Sequence, residues 1–228
     1  MRKIVILTGA GMSAESGIKT FRDAGGLWEG HDVMEVASPQ GFAMNPELVL
    51  DFYNQRRRQL LEVQANSAHS ALAYIENKYD VTIITQNVDD LHERAGSTNV
   101  LHLHGELLKV RSTYNPNLIY NRTKDLNLGD TCEKGSQLRP HIVWFGEEVP
   151  MLEKAIDITA TADILVIIGT SMQVYPAAGL VNYIPSTTPI FFIDPKPSVN
   201  EHSFTNLTVI SEKATIGVKI LIENYLNG

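Results

Sequence analysis

Thr85-Gln-Asn-Val-Asp-Asp-Leu-His92 and Leu101-His-Leu-His-Gly105 are the stretches of this chain whose side chains could do chemistry near neutral pH. Each follows an apolar run that reads as a strand, so both open on one edge of a sheet. His102 and His104 alternate along an extended segment and therefore point to opposite faces. One is expected in the core and one in the cleft. His104, beside Gly105 at the strand end, is the better general base, because an imidazole of pKa about 6.5 accepts a proton near neutrality. His102, between two leucines, and His92, at a helix start, read as structural histidines. No further His, Cys or carboxylate lies at ligand spacing around His104, so no metal is expected there.

Such a base needs a substrate held against it, and Arg2 to Arg22 offers the cradle. Ile4 to Leu7 is a continuous apolar run, the pattern of a strand buried on both faces of a parallel sheet. Gly9 and Gly11 permit a sharp turn with close backbone approach to a ligand, and Ser13 to Ser16 is expected to open a helix whose free amides attract phosphate. Gly9-x-Gly11-x-x-Ala14 satisfies the loose dinucleotide fingerprint, although a tight turn without a ligand would look the same. An ordinary dehydrogenase also needs a strand ending in an acid about 20 residues later. Trp28 to Phe42 holds no such strand, which argues against hydride transfer. A substitute acid is Asp194, where Pro189-Ile-Phe-Phe-Ile stops on a carboxylate that could hold ribose hydroxyls or cap the next stretch of chain. Gly169-Thr170-Ser171 comes after another apolar run and falls on the same sheet edge.

The chain's 228 residues are enough for one large domain, or one carrying a small insert. A net charge of -7 argues against general nucleic-acid binding. The single cysteine, Cys132, excludes an internal disulfide framework and fits a reducing compartment. With a strand expected from residue 3 and no apolar run near the roughly 18 residues that span a bilayer, neither a signal peptide nor a membrane segment is expected. A cytoplasmic location is the consequence.

Further strands are expected at Val81 to Thr85, Val100 to Leu103, Asp163 to Gly169, Pro189 to Asp194 and Leu207 to Ile210, with helices between most of them. This alternation predicts an α/β fold, a Rossmann-like open parallel sheet with helices on both faces. Two segments interrupt it: Ala24 to about Glu62, with a helix from Glu47, and the polar, turn-rich Glu106 to Gln137. Residues 24–62 and 106–137 together read as a small module within a single catalytic domain.

Gly9-Ala-Gly-x-Ser13-x-x-Ser-Gly-Ile18-x-x-Phe-Arg22, Thr85-Gln-Asn-Val-Asp89-x-Leu-His92, His102-x-His-Gly105, Trp144-Phe-Gly-Glu147 and Gly169-Thr-Ser171-x-x-Val174-x-Pro-Ala-Ala178 together resemble the ordered motifs of the sirtuin family of NAD-dependent protein deacylases. The resemblance covers nearly the whole chain. It implies NAD across the sheet edge, held by Gly9, Ala10, Gly11, Ser13, Glu15, Arg22 and Trp28, with Ile18 and Phe21 walling the nicotinamide pocket. Gln86, Asn87, Val88 and Asp89 would surround nicotinamide and its ribose. Gly169, Thr170, Ser171, Asp194, Pro195, Lys196 and Ala214 would hold the adenosine half. An acyl-lysine peptide would add as a strand between Val143 to Glu147, with Val143, Phe145, Gly146 and Glu147 as its contacts, and the segment after Ser171. In this family the acyl oxygen attacks C1′ of the NAD ribose and nicotinamide leaves. His104 would then be the base on a ribose hydroxyl, with lysine and an O-acyl-ADP-ribose as further products. Transfer of ADP-ribose to protein is the alternative use of such a site.

Tyr53 and Arg56 are three residues apart on the helix from Glu47 and share a face. Taken alone they read as part of a solvated basic face, since Arg57 and Arg58 continue the run. Within the family, a Tyr-x-x-Arg pair here resembles the branch that accepts malonyl-, succinyl- or glutaryl-lysine, with the small Ala37 leaving room for the acyl chain. The chain departs from the family at the structural zinc, usually held by two Cys-x-x-Cys pairs. Ser112, Asn115 and a lone Cys132 stand in those regions. No zinc is expected, and a substitute core of Tyr114, Leu118, Ile119, Tyr120, Leu126 and Leu128 is expected instead of a contribution that reaches on the order of 10 kcal/mol.

Overall fold

The computed structural model describes residues 1–19, 27–28, 30–197, 204 and 206–226, with backbone alone at 27–28. In chain order the strands are β1 (Lys3–Thr8), β2 (Leu27–Trp28), β3 (His31–Asp32), β4 (Asp80–Thr85), β5 (Val100–His102), β6 (Gly105–Ser112), β7 (Ile119–Asn121), β8 (Leu138–Ile142), β9 (Ile164–Ile168), β10 (Ile190–Ile193) and β11 (Leu207–Ile210). The helices are α1 (Val33–Val36), α2 (Pro39–Met44), α3 (Pro46–Glu62), α4 (Ser67–Ile75), α5 (Leu91–Arg94), α6 (Leu152–Thr159) and α7 (Ala214–Leu221). Six strands pair in parallel in the order β11-β10-β9-β1-β4-β5.

The apolar runs are continuous because both faces of this sheet are covered. Ile4 and Ile6 pack with Ile83, Val166 and Ile193 beneath α4 and α7, while Val5 and Leu7 pack with Leu165, Ile167 and Phe192 beside Ala155 of α6. The molecule is thus a Rossmann-like α/β fold. No helix among the described residues is long and apolar enough to cross a membrane.

Chain order reverses between β1 and β9, the switch point at which open parallel sheets bind ligands. There the loops after the two strands meet backbone to backbone: Gly9 N donates to Ile168 O and Gly11 N to Gly169 O at 2.8 Å. A Cβ on Gly11 would lie 2.6 Å from Gly169 Cα. The glycine requirement here is set by the facing loop. Gly11→Ala is expected to destabilise the fold by about 2 kcal/mol, the range of overpacking, read as a lowered urea midpoint. The helix expected from Ser13 is instead a pair of short 3-10 turns, Ala10–Met12 and Ala14–Ser16. Gly17, at φ +98°, then ends the second turn before a helix can propagate.

The polar segment after Gly105 contains a strand that its composition conceals. β6 pairs antiparallel with both β7 and β8, and its residues alternate between buried and half-exposed along most of its length. α3 packs on this three-stranded sheet. The core of that contact is Leu50, Val110, Leu126, Cys132 and Leu138, with Leu118 and Tyr120 at its border. Tyr114, Ile119 and Leu128, expected within it, are exposed, because β7 and its flanking turns lie on the outer edge of the small sheet. Asn54 of α3 ties the helix to the loop after β7 by accepting from Leu126 N and donating to Leu126 O. Arg57 ties the helix to β6 by donating to Leu107 O. The run 56–58 therefore divides by direction: Arg57 is fully buried and Arg58 pairs with Asp125 on the surface. Cys132 is buried, and Ser112 donates to its sulfur at 3.3 Å, which holds the thiol below its usual pKa. Among the described residues no three His, Cys, Asp or Glu side chains are grouped to hold a metal.

Candidate active site

A cavity of about 790 Å³ opens at the carboxyl ends of the central strands. The turn after β1 supplies Gly9, Ala10, Gly11 and Ser13, the loop after β4 supplies Gln86, Asn87, Val88 and Asp89, and the loop after β9 supplies Gly169, Thr170 and Ser171. Asp194, Pro195 and Lys196 line it beyond β10. Ile18 and Ala37 also line it, as do Tyr53 and Arg56 from α3. Val143, Phe145, Gly146 and Glu147 form a further wall, and His104 faces the same space. Phe21 and Arg22 lie outside the described residues, as does the side chain of Trp28.

The floor is a polar network fixed by buried partners. Ser13 donates to Asp89 at 2.9 Å, and Asn87 donates to Gly9 O and to Ser13 Oγ. Burial pushes the Asp89 carboxyl above its usual pKa, opposed by the amide of Leu91 and the hydroxyl of Ser13. Gln86 donates to Thr170, bridging the two loops across the switch point.

His104 Nδ1 lies 3.0 Å from Gln86 O. A carbonyl only accepts, so Nδ1 carries the hydrogen and Nε2 is the basic nitrogen. Burial lowers its pKa, with Gln86 O partly opposing, and the ring is neutral at pH 7. His102 is held between Asn87 O and Glu93, 2.7 Å from the carboxylate. Although burial opposes it, Glu93 keeps the His102 pKa raised. It orders the loop from outside the cavity. His92 is fully buried against Thr8 and His69.

Two residues with an expected cofactor role are engaged elsewhere or absent from the wall. The Glu15 carboxylate accepts from both the amide and the hydroxyl of Thr215, capping α7, although its side chain borders the cavity. Ala214 is buried in the core under α7, and Lys213 lines the cavity in its place. Glu147 borders the cavity with a carboxylate already saturated: it accepts from Arg139 through two nitrogens, from Arg111, and from Trp144 N. Leu107, Ile142 and Trp144 also line the wall. Trp144 stands in a recognisable motif that by itself assigns it no use. Leu107 and Ile142 carry no signal, since β6 and β8 do not read as strands from composition.

A sequence model described as the Sir2 family matches residues 9–176. The chain belongs to the Sir2 family. A sirtuin relative named NAD-dependent protein deacylase, from Helicobacter pylori, is 62% identical over 226 residues, covering 99% of this chain and 98% of its own. One of the same name from Bacteroides thetaiotaomicron is 53% identical over 97% of both chains. A solved complex of a Sir2 homologue with NAD superposes with TM-score 0.88 at 40% identity, covering 99% of this chain and 90% of that one. A structure of Sir2 bound to acetylated peptide matches with TM-score 0.79 at 29% identity, over 97% and 92%. This sirtuin is an NAD-dependent protein deacylase with NAD as its cofactor.

Proposed function

We propose that this deacylase prefers lysines whose acyl group ends in a carboxylate, succinyl or malonyl, and accepts acetyl less well. The observation that carries this reading is that Tyr53 and Arg56, from one face of α3, line the same cavity as His104. Tyr53 is 1% exposed, and burial pushes its phenol pKa far up, so it is a neutral donor at any working pH. The Arg56 guanidinium lies over the Phe52 ring at 3.3 Å, which fixes its plane. The surroundings favour an anion. Arg111 and Arg139 share the single carboxylate of Glu147, so that trio is cationic behind the wall. Small Ala37 leaves room for the acyl chain.

The residues present fit NAD. Paired loops at a switch point form the cradle, a buried Asp89 and Asn87 stand near one end, and Asp194 is the carboxylate that ribose hydroxyls require at the other. NAD, when bound, supplies the ribose that accepts the acyl group and loses nicotinamide. Gln86, Asn87 and Asp89 orient it, and His104 accepts a proton at Nε2. Peptide pairs along 143–147, and because Val143 N already bonds His104 O and Phe145 N bonds Ala37 O, strand addition there uses carbonyls.

The test is turnover of one peptide carrying acetyl-, malonyl- or succinyl-lysine, with and without NAD, for the wild type and Arg56→Met. A hydrogen bond to a charged group contributes about 1.5 to 3 kcal/mol, so Arg56→Met is expected to lower succinyl kcat/KM roughly ten- to a hundredfold and erase the advantage over acetyl. A proportional fall on all three peptides would make the pair structural.

A further inference from the structure

We infer that Trp144 is a positioning residue for acyl selectivity: its indole N–H occupies the acceptor side of the Tyr53 hydroxyl, so that the Tyr53 proton is donated to the carboxylate of a bound acyl group. This rests on the preference proposed above and adds the device that sets it.

The direction of the bond is dictated by the atoms. Trp144 Nε1 lies 2.9 Å from Tyr53 Oη, and an indole nitrogen only donates. The phenol oxygen therefore accepts, and its single hydrogen points away from Trp144. Both rings are at most 2% exposed, so water does not compete for that oxygen. A tyrosine hydroxyl otherwise offers a donor and an acceptor with similar ease, and only the donor suits a carboxylate.

The indole is itself clamped. Its ring carries the Arg139 guanidinium at 3.4 Å and packs near Phe42, and its amide donates to Glu147 at 2.8 Å. Arg139 closes the loop by bonding Glu147 through Nη1 and Nη2, at 2.6 and 3.0 Å. The saturated carboxylate of Glu147 thus serves the acyl end of the site through Trp144. The same geometry explains why an acidic side chain tolerates a place on a wall that takes an anion: two guanidinium groups cover it.

The experiment compares kcat and KM for succinyl- and acetyl-lysine peptides in the wild type, Trp144→Phe, Tyr53→Phe and the double variant. Trp144→Phe is expected to lower the succinyl-to-acetyl ratio of kcat/KM about tenfold, mainly through succinyl KM, as loss of one oriented contact to a charged group requires. In the Tyr53→Phe background the same substitution is expected to leave the ratio where Tyr53→Phe put it. A second variant carrying 3-benzothienylalanine at position 144 keeps the bicyclic shape and lacks the N–H, and should reproduce the tenfold fall if Phe does not fold. A ratio unchanged in both position-144 variants, or one falling equally with and without the Tyr53 hydroxyl, overturns the inference alone. A wild type with no succinyl advantage overturns the acyl preference, and this inference with it.

Discussion

His104→Ala lowers deacylation by roughly two to four orders of magnitude, the usual worth of a positioned general base, while NAD binding persists. The expectation comes from where each ring atom points. Nδ1–H is spent on Gln86 O, which leaves the basic Nε2 in the cavity with no tautomer to choose. The cofactor cradle stands on other bonds, those of Ser13, Asn87, Asp89, Gln86 and Thr170. Removing the imidazole deletes the proton acceptor and leaves the cradle's own hydrogen bonds in place. Because burial holds the His104 pKa below 6.5, wild-type kcat/KM should be level at pH 7 and fall only on the acid side of 6.5. Titration calorimetry with NAD and single-turnover deacylation check the two halves separately. Near-normal turnover in the variant would remove His104 from the base role.

The six strands of the main sheet are legible from sequence because apolar residues set between turn residues mark each of them, most clearly β1, β9 and β10, which are buried on two faces. The small sheet is not. β6 reads Gly-Glu-Leu-Leu-Lys-Val-Arg-Ser, and its charged members Glu106, Lys109 and Arg111 are held by ion pairs that no periodicity announces. The lining of the cavity is legible where it depends on residue types at fixed spacing: His104, Asn87, Asp89 and the glycine loops all border it. It is illegible where long-range geometry decides. Gly11 is required by Gly169, far away in sequence, and Glu147 is taken up by Arg111 and Arg139 from two other strands. Glu15 sits in the cradle's own sequence yet caps a helix near the other end of the chain. Nor could sequence say that Asn54 and Arg57 tie α3 to Leu126 and to β6, since polar residues on a helix read as solvated until the partner sheet is known.

Acid is expected to destabilise this protein above the pH at which its carboxylates titrate, and the largest cause is one pair of rings. His69 and His92 stack edge to face at 4.8 Å under the cradle and are at most 1% exposed. Burial lowers the pKa of His69 to about 4, and burial with the neighbouring His69 and His102 lowers that of His92 to about 3. Both folded values lie below the unfolded one, near 6.5, so below that pH the unfolded chain binds protons that the folded one refuses. Stability is complete above pH 6.5 and declines as pH falls toward the folded values. By pH 5 each ring accounts for about 2 kcal/mol of lost stability, a large part of what a domain has. His102 works in the opposite sense, since Glu93 raises its pKa, while His104 and His141, whose pKa values burial lowers, work in the same sense as the pair. The loss reaches function directly. His92 Nε2 meets the hydroxyl of Thr8, which donates to Thr85, and Thr85 accepts from the amide of Asn87 on the floor of the cleft. Urea midpoints measured from pH 7.5 to 5.0 should therefore fall steeply for the wild type, and the slope should flatten in His69→Gln/His92→Gln even though that variant starts less stable. Imidazole C–H resonances of the folded protein that titrate near 6.5 at these two positions would refute the account.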